Sequence, residues 1–534
     1  MTEKIKHFLI AERKFLYSLL PLVIVFLLTR LPYYLYYPVT GISFDTPSYI
    51  AVAFDMLDFK LPLFEVRTPG YPFFLFVVWS ISKTIFSVSL IQSIITLLTS
   101  VFFLFVLNMF YKKYIFLFAA AVSVYISSAH YLILDTALLT ESLFVNLIII
   151  TCAFLILSVK RNKPFYWTLF SLSAAAVIIV RPAGIFLCGI ILVILLYLLF
   201  RKSGLKYYLS VTAPISLILL SLCFYNYITL GSFTVTPFGE SNMSGVVITF
   251  MEPSPEYPGY INEAVEEVLS TVPKKDIRYV KTSYGVTKLY DIFLTNYVKV
   301  INLVDNVKKR NTADNYTVIQ RQIRKVYIDA IKNYPMVYLK FFSVNLYRFF
   351  TNIRRPENYT AQLEKTYRKV AVDSVFYKRI DQGGWQQISS DESDYEAIKS
   401  FYLDDIRRQK NLEYITINPD NSAELRPTIL KSVYEIYEFV YNKVFRNIIW
   451  LFIFATAFTV SIYKLFKSRI SDSDALIFFI LCLMFISKAV MVSMVEMSLE
   501  RYSYTVEFVF YLSLPFLIIM LKDFKKLIKE KKTI

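Results

Sequence analysis

The sequence predicts an α-helical polytopic membrane protein of about ten transmembrane helices, and three observations carry that expectation. Apolar residues make up 56% of the 534 and aromatic residues 17%, more than a soluble domain can bury. Uninterrupted apolar runs repeatedly reach the roughly 20 residues that a helix needs to cross the hydrocarbon. Basic residues gather in short segments between those runs.

The runs fall at 15–35, 86–108, 114–130, 136–158, 165–181, 183–200, 207–229, 446–464, 474–496 and 502–521. Ten crossings put both termini in the cytoplasm. They also put every basic cluster inside: Lys112 and Lys113, then Lys160, Arg161 and Lys163, then Arg201, Lys202 and Lys206, then Lys464, Lys467 and Arg469, and the tail over 522–532. That is the positive-inside pattern, and it accounts for the net charge of +17 without a nucleic-acid partner. The basic segment 1–14 leads straight into the first apolar run with no small-residue cleavage site, so it reads as a first anchor in the plasma (inner) membrane. The four cysteines lie inside apolar runs and the histidines number two, which excludes a disulfide framework and a His-rich metal centre.

The apolar segment 71–86 strains the count. As a separate crossing it would invert every later basic cluster, so it is expected to lie in the outer interface with Lys83 at its polar edge. The chain then divides into an N-terminal bundle of seven spans (1–229) with a first outer loop over 36–85, a mainly helical extracytoplasmic insertion (230–440), and a C-terminal bundle of three spans with a basic tail (441–534). Helical periodicity over 318–350 is expected to be kinked or divided at Pro335, its later part lying amphipathic in the interface. Residues 351–425 show no clear periodicity. No internal repeat is found, which gives an inverted-repeat transporter little support.

Sorting the ionisable residues by this topology brings acids and arginines to one depth. Asp45, Glu65 and Arg67 lie in the first outer loop, Glu141 near the outer end of the fourth span, Arg181 at the outer end of the fifth, and Glu500 and Arg501 at the outer start of the tenth. Charges at that depth are costly and usually face a bundle interior or an aqueous cavity. Arg181 and Arg501 taken singly also fit snorkelling anchors. Asp45, before Thr46-Pro47-Ser48, fits a helix cap as well as a catalytic base. Arg67-Thr-Pro-Gly-Tyr71-Pro72 also reads as a turn. Lys488 and Glu507, deep in the ninth and tenth spans, are expected to pair across the two helices. The tyrosines of the first loop region, Tyr33, Tyr34, Tyr36, Tyr37 and Tyr49, offer faces to a sugar and equally form an interfacial belt, the expectation for most of them.

Six short motifs in order, Asp45-Thr-Pro-Ser-Tyr49, Arg67-Thr-Pro-Gly-Tyr-Pro72, Leu139-Thr-Glu-Ser142, Arg181-Pro-Ala-Gly184, Asn226-Tyr-Ile-Thr-Leu-Gly-Ser-Phe233 and Glu500-Arg-Tyr502, give a chain that resembles the GT-C glycosyltransferases. The nearest branch is that of the protein O-mannosyltransferases, the lipid A aminoarabinose transferase and their bacterial relatives. The resemblance covers spans one to seven and the last three, and much of 240–430 matches nothing in it. The Trp-Trp-Asp-Tyr-Gly signature of oligosaccharyltransferases is absent, against transfer of a whole oligosaccharide to asparagine.

The resemblance implies inverting transfer of a sugar from a polyprenyl-phosphate donor to a hydroxyl acceptor at the outer face of the bilayer. It makes Asp45 the general base, although many relatives have Asp-Glu or Asp-Ser where this chain has Asp45-Thr46. Arg67, Arg181 and Arg501 are the candidates for the donor phosphate, since arginine forks stabilise phosphate bidentately. Tyr49, Glu65, Tyr71, Glu141, Lys488, Glu500 and Tyr502 are further site candidates. Asp45 with Glu141 could hold a divalent cation through oxygen ligands. The competing reading is a membrane transporter or flippase of a lipid-linked or anionic substrate, which would also carry intramembrane charge.

Overall fold

The computed structural model describes residues 13–36, 40–41, 45–64, 66–82, 84–237, 239–311, 316–352, 358, 415–417, 423–425 and 429–532. Tyr37, Glu65, Lys83 and most of 351–425 lie outside them, as do the side chains of Tyr36 and Glu500.

Within the bilayer a backbone must satisfy its own hydrogen bonds, so apolar runs become helices. The chain enters through α1 (Arg13–Tyr36) and passes two short helices, α2 (Thr46–Leu57) and α3 (Gly70–Ile81). It then forms α4 (Ile85–Tyr111), α5 (Ile115–Ile126), a short α6 (Ala129–Thr136), α7 (Thr140–Arg161), α8 (Pro164–Val180), α9 (Phe186–Phe200) and α10 (Leu205–Leu230). Local chemistry sets the ends. Thr84 caps α4 by accepting from the Ser87 amide, Pro164 opens α8, and left-handed Asn162 and Gly231 close α7 and α10.

Eight helical stretches among the described residues are long and apolar enough to cross a membrane. One of them, Ile85–Ile126, is a hairpin of two crossings. Arg30 of α1 donates to the Ile126 carbonyl and to Asp135, while Asp135 accepts from Thr96. An unbroken helix would hold Thr96 and Ile126 about 45 Å apart, so the chain reverses at the 3-10 turn Lys112–Tyr114. The shorter α8 also traverses the bundle. It starts beside Asn162, whose carbonyl accepts from Tyr207, and ends at Arg181 in the cluster described below; its length is about 26 Å. Nine of the ten expected spans thus fall each on one helix, and the tenth runs from the short helix Glu500–Tyr504 through a turn at 505–507 into the helix Phe508–Lys532. By contrast α3 lies against the first turns of α4, held there by Tyr71 donating to Gln92 and Trp79 to the Thr84 carbonyl.

The insertion follows as α11 (Gly239–Val247), α12 (Gly259–Thr271), α13 (Lys274–Thr282), α14 (Val286–Tyr297), α15 (Val300–Arg310), α16 (Tyr316–Asn333) and α17 (Pro335–Asn352). Pro335 divides the 318–350 stretch as expected. One side of α17, with Val337, Phe341 and Val344, fills the insertion's own core, where Phe341 packs edge-on against Phe293, while Met336, Leu339 and Tyr347 stay exposed. The only strands among the described residues are a small antiparallel pair, β1 (Ile415–Ile417) and β2 (Ala423–Leu425).

The chain re-enters through α18 (Ile429–Val440) and ends in α19 (Ile449–Lys467), α20 (Ser473–Val495), α21 (Glu500–Tyr504) and α22 (Phe508–Lys532). At one end of the bundle Asp474 accepts from Tyr111 at 2.6 Å and pairs with Lys160, and Lys464 pairs with Asp472 at 3.0 Å. Basic segments far apart in the chain thus share one end, as the charge pattern required. The insertion packs at the other end. There Tyr290 and Asn352 donate to the Ser498 carbonyl at 3.0 and 3.1 Å, and Asn345 accepts from the Ser498 amide at 3.0 Å.

Two expectations are corrected. Glu507 pairs with Arg446 and accepts from Tyr511, not with Lys488, because the chain before α19 carries an arginine to the same depth. Lys488 donates to Thr505 and lies over the Phe144 ring at 4.4 Å. Tyr33 and Tyr34 are not belt residues: Tyr33 is buried, and Tyr34 donates to Ser89 inside the bundle. Removing one member of a buried pair leaves an uncompensated charge, at a cost of about 3–5 kcal/mol. Glu507→Ala should therefore lower stability by about that much in detergent unfolding. The double replacement Arg446→Met with Glu507→Met should recover most of the loss, and Lys488→Met should leave the Glu507 effect unchanged.

Candidate active site

The first loop is stitched to the α6–α7 connection. The Gly41 amide donates to the Thr136 carbonyl and the Leu138 amide to the Gly41 carbonyl, at 2.9 and 2.8 Å. Thr46 adds a bond to the Leu138 carbonyl at 3.0 Å. Glu141 begins three residues on, in the first turn of α7. On the other side, a Cβ at Gly70 would stand 2.6 Å from the Ile179 carbonyl oxygen. Only glycine allows α3 to start against the end of α8, and this brings Arg67 toward Arg181.

Asp45 sits at the centre. Its Oδ1 meets Arg67 Nη2 at 2.8 Å and its Oδ2 meets Arg501 Nη1 at 3.0 Å. It makes no side-chain cap bond to α2, so the helix-cap reading fails and the carboxylate is committed to the guanidinium groups. Arg67 is fixed further by Ser48 at 2.6 Å, by the Tyr49 hydroxyl at 3.2 Å, and by the Tyr49 ring 4.5 Å below it. Tyr49 packs edge-on against Tyr71.

Glu141, 1% exposed, meets Arg181 Nη1 at 2.6 Å and Arg501 Nε at 3.6 Å. Arg501 therefore bridges the two carboxylates. The Tyr502 ring carries Arg181 at 4.8 Å on one side and Arg501 at 5.2 Å, and its hydroxyl donates to Glu496. Both arginines are drawn into a paired network, with 15% and 29% of their side chains left exposed. Lys488 lies within electrostatic reach of Arg181, Glu141 and Glu496.

The sequence reading missed two of these groups. Glu496 lies four residues before Glu500 at the outer end of the ninth span, and sorting by depth would have found it. Tyr297 comes from α14 in the insertion and stands in the electrostatic surroundings of Glu496, Arg501 and Asp45. Nothing in its local sequence marks it.

Burial opposes charge on Asp45, but the guanidinium groups of Arg67 and Arg501 outweigh it and hold the carboxyl well below the usual range. Three guanidinium groups (Arg67, Arg181, Arg501), with Lys488 beside them, face three carboxylates (Asp45, Glu141, Glu496), and guanidinium forks suit an anionic oxygen. A divalent cation fits less well. Both oxygens of Asp45 are occupied by guanidinium groups, Arg501 stands between Asp45 and Glu141, and among the described residues no three acidic, histidine or cysteine side chains are placed to hold one ion.

No protein-family model matches the chain, and no curated protein matches it. The crystal structure of the apo form of an oligosaccharyltransferase from Archaeoglobus fulgidus is similar to it at a TM-score of 0.42 and 11% identity, covering 96% of this chain and 52% of that one. This chain spans about half the length of that protein.

A depressed carboxyl contributes stability above its unfolded value, near 3.9, and that contribution is lost as the pH falls toward the folded value. The stability difference between wild type and Asp45→Asn should therefore stay level from about pH 8 to pH 5 and shrink only below about pH 4. Thermal unfolding across that range checks this, and a difference that already falls between pH 7 and pH 5 would contradict the two-arginine clamp on Asp45.

Proposed function

We propose that this protein is a membrane glycosyltransferase of the GT-C type that moves a sugar from a polyprenyl-phosphate donor to a hydroxyl acceptor with inversion. One observation carries the reading. Asp45, Arg67, Glu141, Arg181 and Arg501, delivered by five segments separated by up to 456 residues, form a single network at the end of the bundle opposite the basic clusters. The six motifs that carry the family resemblance supply every one of these residues.

In the reaction the acceptor oxygen attacks the anomeric carbon as its proton passes to Asp45. The bond between that carbon and the phosphate oxygen breaks, and its electron pair stays on the polyprenyl phosphate. Arg181, Arg501 and Arg67 stabilise the charge that collects there. A carboxylate held by two guanidinium groups is fully ionised but weakly basic, and a poor match to an alcohol proton. Donor phosphate resolves this: by competing for Arg67 and Arg501 it loosens the clamp on Asp45 as it binds. Glu141 stays with Arg181 and keeps its guanidinium aimed. A transporter would need the network to open alternately to both sides, and its tie to the insertion through Ser498 favours a fixed, one-sided site.

Asp45→Asn keeps size and polarity yet accepts no proton at neutral pH. Turnover should drop by about two to four orders of magnitude while a labelled polyprenyl-phosphate sugar still binds. Near-normal transfer would remove Asp45 from the chemistry.

For the phosphate, loss of one charge-assisted bond costs about 1.5–3 kcal/mol. Arg181→Ala and Arg501→Ala should each weaken donor use about ten- to a hundredfold, with Lys a poor substitute because it lacks the planar fork. Full activity in both Ala variants would return these arginines to a structural role.

A further inference from the structure

A groove of about 440 Å³ opens between the end of α10 and α16, and nothing so far gives it a task. We propose that it binds the acceptor and that the acceptor is an anionic carbohydrate, an assignment that rests on the transferase reading above.

The placement is the first argument. Asn226 donates to the carbonyls of Thr234 and Val235 at 2.8 and 3.1 Å, fixing the stretch that forms one wall. Val235 itself packs against the small apolar cluster of Val52, Phe64 and Leu222, and Val52 belongs to α2, the helix that begins directly after Asp45. The other partition is α11. Gly239 and Met243 line the groove, while Asn242 accepts from the Tyr297 hydroxyl at 3.3 Å. A Cβ at Gly245 would come 2.8 Å from the Tyr297 ring, and that ring stands in the surroundings of Asp45 and Arg501. α11 and the Tyr297 ring therefore stand between the groove and the network around Asp45, while the wall at Val235 runs onto α2. A chain that lies in the groove and continues along that wall to the start of α2 would bring a hydroxyl to the carboxylate.

The lining is the second argument. Tyr227, Phe233 and Tyr327 present ring surface, with Tyr227 and Phe233 at least half exposed. Rings backed by a few convergent polar groups make a surface for flat, polyhydroxylated ligands. Arg321 and Arg324 stand three residues apart on one face of α16, and guanidinium forks select carboxylate or phosphate. A lipid chain would find these polar groups interrupting its path.

The test uses the full chain in detergent and reads binding without turnover. A tetramer of galacturonate is the anionic probe and maltotetraose its neutral counterpart. The anionic tetramer should bind more tightly than the neutral one and weaken with added salt. Arg321→Gln with Arg324→Gln should weaken it at least tenfold, and so should Phe233→Ala, which leaves both arginines in place. The proposal is overturned if the anionic tetramer does not bind at millimolar concentration, if both tetramers bind equally, or if neither variant weakens binding while unfolding at the wild-type temperature. Binding as described, in a chain that transfers no sugar from any polyprenyl-phosphate donor, would remove the transferase reading and the acceptor role with it.

Discussion

A guanidinium group brought to the edge of the hydrocarbon must be matched, and the arrangement around Asp45 follows from that requirement. Arg67, Arg181 and Arg501 arrive on three different segments. Each finds carboxylate, hydroxyl or ring surface supplied by another: Asp45 and Tyr49 for Arg67, Glu141 and Tyr502 for Arg181, and both carboxylates for Arg501. A buried charge without its partner costs several kcal/mol, so none of these segments can settle alone. The first loop, the α6–α7 connection, the end of α8 and the start of α21 are fixed by one another.

The same constraint recurs away from the site and builds the scaffold that holds it. Arg30 and Asp135 pair at 2.9 Å deep in the bundle, and Thr96 and Ser142 complete the hydrogen bonds of that carboxylate. This joins α1, α4, α6 and α7, and it sets the α6–α7 connection from which Glu141 projects. Arg446 with Glu507 does comparable work for the C-terminal bundle, tying the chain before α19 to the segment that leads from Arg501 into α22. The insertion contributes through ordinary hydrogen bonds rather than charge. By clasping Ser498 it holds the short link between Glu496 and Arg501. A polar link between two spans, otherwise free to move, is thereby made part of the site.

Much of this was legible in the sequence because bilayer physics leaves strong marks. Spans announce themselves by length and apolarity, and positive-inside clustering sorts their ends, which is why Asp45, Arg67, Glu141, Arg181 and Arg501 could be placed at one depth before their contacts were known. Depth, however, does not give azimuth. Lys488 and Glu507 lie at compatible depths, yet rotation about the helix axes decides partners, and Glu507 turns to Arg446. The local motif at Asp45 was ambiguous for a different reason: Asp-Thr-Pro-Ser fits a cap, and only the nearness of two arginines remote in sequence decides how the carboxylate is used. Tyr297 was invisible because the insertion's helices carry no membrane pattern, and its place depends on the close fit of Gly245 against its ring.

The pairing that stabilises the site also limits what it can do, and this links architecture to chemistry. With both oxygens of Asp45 engaged, the network is close to self-sufficient. An anion could bind the guanidinium groups only by taking hydrogen bonds from groups that already hold Asp45. On the proposed reading, donor binding and activation of the base are therefore one event, since each guanidinium bond given to phosphate is one withdrawn from the carboxylate. The fixed partners, Ser48 and Tyr49 on Arg67 and Tyr502 on Arg501, keep the guanidinium planes aimed while the exchange takes place. The enclosing wall of α2, α8 and α21 can then stay still, and only the hydrogen bonds need change hands.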